Sequence, residues 1–252
     1  MGGSVALALN LAVFPDCLPD ELITAILRGA ADKLREAGGA VAGGHTVEGP
    51  EPLFGMAVVG FAPRQRIWTK AGALPGDHLV LTKPLGTGIV TTASKADQAA
   101  SEHVDETIRW MAMLNRRASE LATGFAVHAA TDITGFALLG HAVEMAHRSQ
   151  AKLRFRATHL PFVAGAEGYA QQWLFPAGTN NNEAAFSQHV IFAPHMGDEL
   201  RLLLFTPETS GGLLLSLTPE EAQAYLGAAS EQGVAAWLVG EVAAGEGMVE
   251  VV

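Results

Sequence analysis

Five short glycine-bearing stretches hold the side chains that could do chemistry in this sequence. In Gly43-Gly44-His45-Thr46 the paired glycines would let backbone N–H groups approach an anion, while Thr46 adds a hydroxyl donor and His45 an imidazole. An ordinary glycine turn has the same composition. In Thr131-Asp132-Ile133-Thr134-Gly135-Phe136 the carboxylate of Asp132 falls at a strand end, near the start of a helix. That is a hard oxygen ligand of the kind Mg²⁺ prefers, with one or two carboxylates and substrate phosphates completing its shell. Asp132 as a plain helix cap is the competing reading.

The other three stretches say less. Lys83-Pro84-Leu85-Gly86-Thr87-Gly88 follows a strand but lacks the third glycine of a dinucleotide fingerprint and the Gly-Lys-Ser/Thr ending of a P-loop, so it reads as a tight strand-to-helix turn. Thr209-Ser210-Gly211-Gly212 could cradle a phosphate or only turn the chain. Asn180-Asn181-Asn182, after Ala177-Gly178-Thr179, reads as a polar loop able to hydrogen-bond a ligand. Two further candidates fail. His141 and His147 flank Glu144 but are six residues apart, which puts them on different helix faces, unlike the i, i+4 pair of a zinc protease. Cys17 precedes a helix, yet Asp16, Asp20 and Glu21 favour its neutral thiol, and it is expected to be a small buried hydrophobe.

Positioning these groups is the task of the elements between them. Ser4–Val13 alternates around Leu7, Leu9 and Leu11, the period of a strand with one buried face. From Asp20 to Ala37 apolar residues recur at helical spacing, with Pro19 before and Gly38-Gly39 after. A short strand Ala40–Ala42, the glycine turn at 43–46, a Pro-bearing loop and a buried strand Phe54–Phe61 complete the first part. The irregular Pro63–Gly76 is read as an inter-domain connection, dividing the chain into 1–75 and 76–252. Beyond it, strands are expected at His78–Thr82, Phe125–Ala130, Leu153–Arg156, Leu213–Leu217, Trp237–Val242 and Met248–Val252, with helices between several of them. Thr218-Pro219-Glu220-Glu221 reads as a capping box opening a helix.

Composition narrows the classes. Of 252 residues 49% are hydrophobic and 17% charged, against about 25% charged in an ordinary soluble domain, so the chain is a packed globular protein rather than a disordered one. Its longest stretches without Asp, Glu, Lys or Arg, Met1–Pro15 and Gly168–Asn182, have 15 residues, short of the roughly 20 that a membrane-spanning helix needs. Met1–Pro15 has no basic residue and no cleavage pattern of a signal peptide, and the expected compartment is the cytoplasm. One cysteine permits no internal disulfide. A net charge of −10 works against a grip on nucleic acid, and any bound phosphate needs metal ions and backbone N–H groups.

Met1-Gly2-Gly3 leading into Ala8-Leu9-Asn10-Leu11, then Ala42–Thr46 with Glu48-Gly49-Pro50-Glu51-Pro52, Leu81–Gly88, Thr131–His141 and Thr206–Leu215 together resemble, in order and spacing, the selenophosphate synthetase (selenide, water dikinase) family. The resemblance runs from Met1 to Val252. It implies an α+β fold of two aminoimidazole-ribonucleotide-synthetase-like domains, and ATP-dependent, Mg²⁺-requiring conversion of selenide to selenophosphate with AMP and phosphate as the other products. It also implies a homodimer with nucleotide at the interface of the N-terminal domains. Residue by residue, Gly43, Gly44, His45 and Thr46 match the nucleotide-contacting turn, and Asp132 matches a metal-binding aspartate.

The resemblance also carries departures. Family members begin with a glycine-rich segment bearing a reactive Cys or selenocysteine, a Lys and further aspartates, all of which would precede Met1. The expectation is therefore an incomplete N-terminal domain, no catalytic residue within 1–252, and no turnover by the chain as written. A selenocysteine codon read as a stop would account for a start at Met1. The family's basic residue before its loop asparagine is absent from Ala177–Asn182. A non-catalytic nucleotide-binding paralogue, or an enzyme of the same superfamily acting on another small nucleophile, is the alternative.

Overall fold

Alternation in Ser4–Phe14 produces the strand β1. Asp20–Glu36 follows as helix α1, with Asp20 and Glu21 in its first turn and Lys33 and Arg35 in its last, the charge order that the helix dipole favours. The helix returns the chain so that β2 (Ala40–Glu48) lies parallel to β1, and β3 (Leu53–Phe61) then runs antiparallel along the other edge of β1. The computed structural model describes all residues from Met1 to Val252 and divides into two compact units, Gly2–Ile67 and Trp68–Val252, with Met1 grouped with the second.

Two expectations for the first unit are corrected. Leu7, Leu9 and Leu11 do not form the buried side of β1. Ala8, Ala12 and Phe14 do, with Leu34 of α1, while Leu9 and Leu11 are 42% and 55% exposed. The reason is steric: α1 packs on β1 and β2, and alanines let a helix approach a sheet more closely than leucines do. Residues 54–61 form a strand, but not a buried one, and Phe61 is 73% exposed. Within Gly2–Ile67, α1 is the one α-helix, and it covers only one face of the sheet.

In the second unit β4 (His78–Leu81), β5 (Val127–Asp132), β6 (Ala151–Phe155), β7 (Val190–Phe192), β8 (Leu213–Leu217), β9 (Trp237–Ala244) and β10 (Val249–Val251) form one sheet in the order β5-β8-β4-β9-β6-β10-β7. Neighbours are antiparallel from β5 to β6, and β10 is parallel to both β6 and β7. The helices are α2 (Thr87–Lys95), α3 (Ser101–Ala112), α4 (Arg116–Ala122), α5 (Ala137–Ser149), α6 (Ala166–Gln171), α7 (Ala177–Phe186), α8 (Asp198–Leu204) and α9 (Pro219–Glu231). Leu79 and Leu81 enter the core that α5 covers, and Val80 enters the opposite one with Tyr225 of α9. Both faces of the sheet are thus buried, which is why β4 and β8 are apolar nearly throughout.

Thr218 caps α9 as expected, its hydroxyl accepting the Glu221 amide at 3.3 Å. The other half of the capping box is not made: the Glu221 carboxylate accepts the Ala126 amide at 3.2 Å and secures the approach to β5. No helix is long and apolar enough to cross a membrane.

Candidate functional site

Gly43-Gly44-His45-Thr46 is not a turn. All four residues lie inside β2, paired with Leu9, Asn10, Leu11 and Ala12 of β1. A Cβ at Gly44 would lie 2.3 Å from the Asn10 carbonyl oxygen, so this position takes no side chain. Because side chains alternate along a strand, His45 and Thr46 face opposite ways. His45 opens into a cleft of about 380 Å³ lined by Leu11, Val13, Val47, Leu53 and Gly55. Thr46 lines a second cleft on the α1 side, with Asp16, Asp20 and Glu48. The two side chains therefore do not converge on one phosphate, and His45 alone faces the apolar-walled side.

In the second unit Asp132 is the last residue of β5, opposite Leu213 of β8, and it is exposed. The turn behind it is tied down on every side. The Ile133 amide donates to the Gly212 carbonyl at 2.9 Å, and the Thr134 carbonyl accepts the amides of Ala137 (2.9 Å) and Glu208 (3.0 Å). A Cβ at Gly211 would lie 2.2 Å from the Ile133 oxygen, and one at Gly212 would lie 2.4 Å from the Lys83 nitrogen. Thr209–Gly212 thus packs between the Asp132 turn and the start of the Lys83–Gly88 turn, and its glycines are close-packing residues rather than a phosphate cradle.

The Lys83–Gly88 turn does bind a carboxyl group, but the chain supplies it. Glu208 Oε1 accepts the Gly86 amide at 2.6 Å, and Oε2 accepts the Thr87 amide at 2.9 Å and the Thr87 hydroxyl at 2.6 Å. Burial pushes the Glu208 carboxyl up to about 7, outweighing the three hydrogen bonds that favour its ionised form. Lys83 is also buried, its ammonium donating to the carbonyls of Trp110 (3.1 Å), Met113 (2.5 Å) and Ser210 (2.7 Å). Sequence reasoning missed Glu208; its one signal was a lone acid between the apolar runs 202–205 and 213–215.

The remaining candidates take structural places. Asn180–Asn182 belongs to α7 and is not a loop; Asn182 is buried and donates to the carbonyls of Gly135 (2.9 Å) and Phe205 (3.0 Å). Its partners are backbone groups of the turn after Asp132 and of the segment before Glu208, so it braces the site rather than touching a ligand. Cys17 is exposed, contrary to expectation, because it sits in the turn between β1 and α1. His141 is buried and bonded through Nδ1 to Glu144 (2.9 Å) and through Nε2 to the Thr134 hydroxyl (3.1 Å), while Glu144 also accepts from Lys70 at 2.5 Å. Burial holds His141 below the usual histidine range despite Glu144. Burial raises Glu144, but its hydrogen bonds from Lys70 and His141 leave it lower than usual. His147 is exposed and stacks edge-on with His189.

Residues 1–62 match the N-terminal domain, and residues 75–252 the C-terminal domain, of AIR synthase related proteins. The chain is 44% identical to the selenide, water dikinase of Geobacter sp. strain M21 over 243 residues, covering 96% of this chain and 70% of that protein. It is 45% identical to the Geobacter metallireducens protein of the same name, covering 71% of it. Among solved structures, hydrogenase maturation protein HypE in complex with ATP superposes with a TM-score of 0.70 at 18% identity, over 99% of this chain and 70% of that one. At that identity the superposition speaks for the shared fold.

Proposed function

The chain belongs to the selenide, water dikinase family, which makes selenophosphate from selenide, ATP and water with release of AMP and phosphate, and we propose how its residues serve that reaction. The observation that carries the reading is the open side of the first unit, where His45 faces an apolar-walled cleft beside a strand whose Gly44 admits no side chain. A nucleotide base fits apolar walls with a few polar groups. We place ATP there, along the Gly43–Thr46 backbone, with His45 the side chain of the four that faces it.

The magnesium ion is assigned to Asp132. One exposed carboxylate, with no group of three metal-ligating side chains in the structure, does not make a protein cage. It does suit an ion that keeps most of its water shell. When bound, such an ion neutralises phosphate charge. No catalytic nucleophile is assigned within 1–252.

Leu9, Leu11, Val47, Leu53 and Val59 share the open face of the first unit's sheet and are all exposed. Contiguous apolar surface of this kind marks an interaction site. We assign it to a second copy of the chain, giving a homodimer in the cytoplasm with the nucleotide cleft at its interface.

His45→Ala and Asp132→Asn test the assignment, with ATP binding measured by calorimetry with and without Mg²⁺ and AMP formation measured with selenide. His45→Ala is expected to weaken ATP binding under both conditions, and Asp132→Asn only the Mg²⁺-dependent part. Unchanged Mg²⁺ dependence in Asp132→Asn would remove Asp132 from the metal site. Unchanged ATP binding in His45→Ala would remove the cleft.

A further inference from the structure

Glu208 sits where a ligand phosphate would sit. The amino end of the nine-residue helix α2 presents unpaired amides to an anion, and the Glu208 carboxylate takes those of Gly86 and Thr87 together with the Thr87 hydroxyl. The contact extends past the carboxylate. The Thr209 amide donates to the same Thr87 hydroxyl at 2.9 Å. The Glu208 amide donates to Thr134, two residues after Asp132, and Gly212 accepts the Ile133 amide, one residue after it. The segment 208–212 therefore touches the α2 entrance on one side and the Asp132 turn on the other. The side chain that ties it to α2 is 4% exposed.

We propose that Glu208 is a positioning residue for Asp132: an internal carboxyl group that closes the amino end of α2 to ligands and fixes the turn presenting Asp132 against the Lys83–Gly88 turn. The role assigned to Asp132 rests on the metal reading above, whereas the coupling of the two turns does not.

The coupling is tested by amide hydrogen exchange at Gly86, Thr87 and Ile133 in the 252-residue protein. Glu208→Ala is expected to lower protection at all three by about tenfold or more, the effect of losing a buried hydrogen bond. Loss confined to Gly86 and Thr87, with Ile133 as in the wild type, would overturn the proposal and leave Glu208 a local helix cap. Should Glu208→Ala not fold, Glu208→Gln replaces it. Its amide nitrogen leaves one donor unanswered, so protection must fall at Gly86 or Thr87 and at Ile133 together, and a fall that spares Ile133 overturns the proposal. Mn²⁺ alone, followed by water-proton relaxation, supplies a readout that a merely structural role would not move, and Glu208→Ala should bind it more weakly than the wild type. If the wild type binds no Mn²⁺ while Ile133 still loosens in Glu208→Ala, the metal reading fails and the coupling of the turns stands.

Discussion

Thr87 and Glu208 meet twice, through the Thr87 amide at 2.9 Å and its hydroxyl at 2.6 Å, and that hydroxyl also accepts the Thr209 amide. One oxygen atom thus answers the Thr209 amide and the buried Glu208 carboxyl group at once. Thr87→Val keeps the shape and removes both bonds, so it should cost about 2 kcal/mol or more in urea denaturation. Thr87→Ser should retain most of the stability. Wild-type stability in the valine variant would show that the hydroxyl bridge contributes nothing.

Glu208 should make stability depend on pH in a definite direction. Its folded value, about 7, lies above its ordinary 4.5, so between those values the folded chain keeps a proton that the unfolded chain releases. The stabilisation is fully present below pH 4.5, declines as pH rises, and is lost above about 7. By linkage the whole effect is roughly 3 kcal/mol. His141 is lowered and acts in the opposite sense, so the comparison to make is wild type minus Glu208→Gln in denaturation curves from pH 5 to 8. That difference should fall with rising pH, and a flat difference would contradict the assignment.

Lys70 and His141 share the Glu144 carboxylate. Burial lowers His141 and the Lys70 charge lowers it further, against the hydrogen bond that Glu144 keeps with the imidazole. Lys70→Met should therefore raise the His141 pKa, measured by NMR titration of the ring. An unchanged or lower value would mean that burial alone governs this histidine.

What was legible in the sequence was periodic and local. The α1 helix, the Thr218 cap of α9 and the β8 run each declare themselves within a dozen residues, because helix punctuation and apolar spacing act at that range. Which side of β1 is buried was not legible, since alanine and leucine both count as apolar and the choice belongs to a helix that must come close. Gly43–Thr46 read as a turn because its glycines suggest one, yet eight residues of β1 are available to pair with β2 and hold it extended. The Asp132 position was visible as a strand end, but Glu208 was not visible as its support, because its partners at Gly86 and Thr87 lie more than 120 residues away. Periodicity carries no information on such a contact.

The open face of the first unit's sheet makes the homodimer testable by one substitution. Leu11 lies at the centre of that face, between His45 of β2 and Gly55 of β3, and is more than half exposed. Leu11→Glu removes no buried side chain, so the fold should survive while the charge repels an apolar partner. Sedimentation should show a dimer for the wild type and a monomer for Leu11→Glu. A wild type that stays monomeric at high concentration would refute the assignment of this face to a second copy.

Helix α6 ends in a motif that its own residue opposes. The Leu174 amide donates to the Tyr169 carbonyl at 3.1 Å and the Trp173 amide to the Ala170 carbonyl at 2.9 Å, the paired bonds of a Schellman ending. That ending needs a left-handed residue, and Trp173 supplies it with φ 60° while 60% exposed. A non-glycine residue in this region costs about 1 kcal/mol or more. Against that cost Trp173 sets only an edge-on contact with Phe175, at 5.9 Å between ring centroids, and an exposed aromatic pair contributes about 0.5 kcal/mol, the low end of its range. Trp173→Gly should therefore raise the stability by about 0.5 to 1 kcal/mol, read as an increase in Tm of a few degrees. A lower Tm in the glycine variant would mean that the exposed indole contributes more packing than this geometry shows.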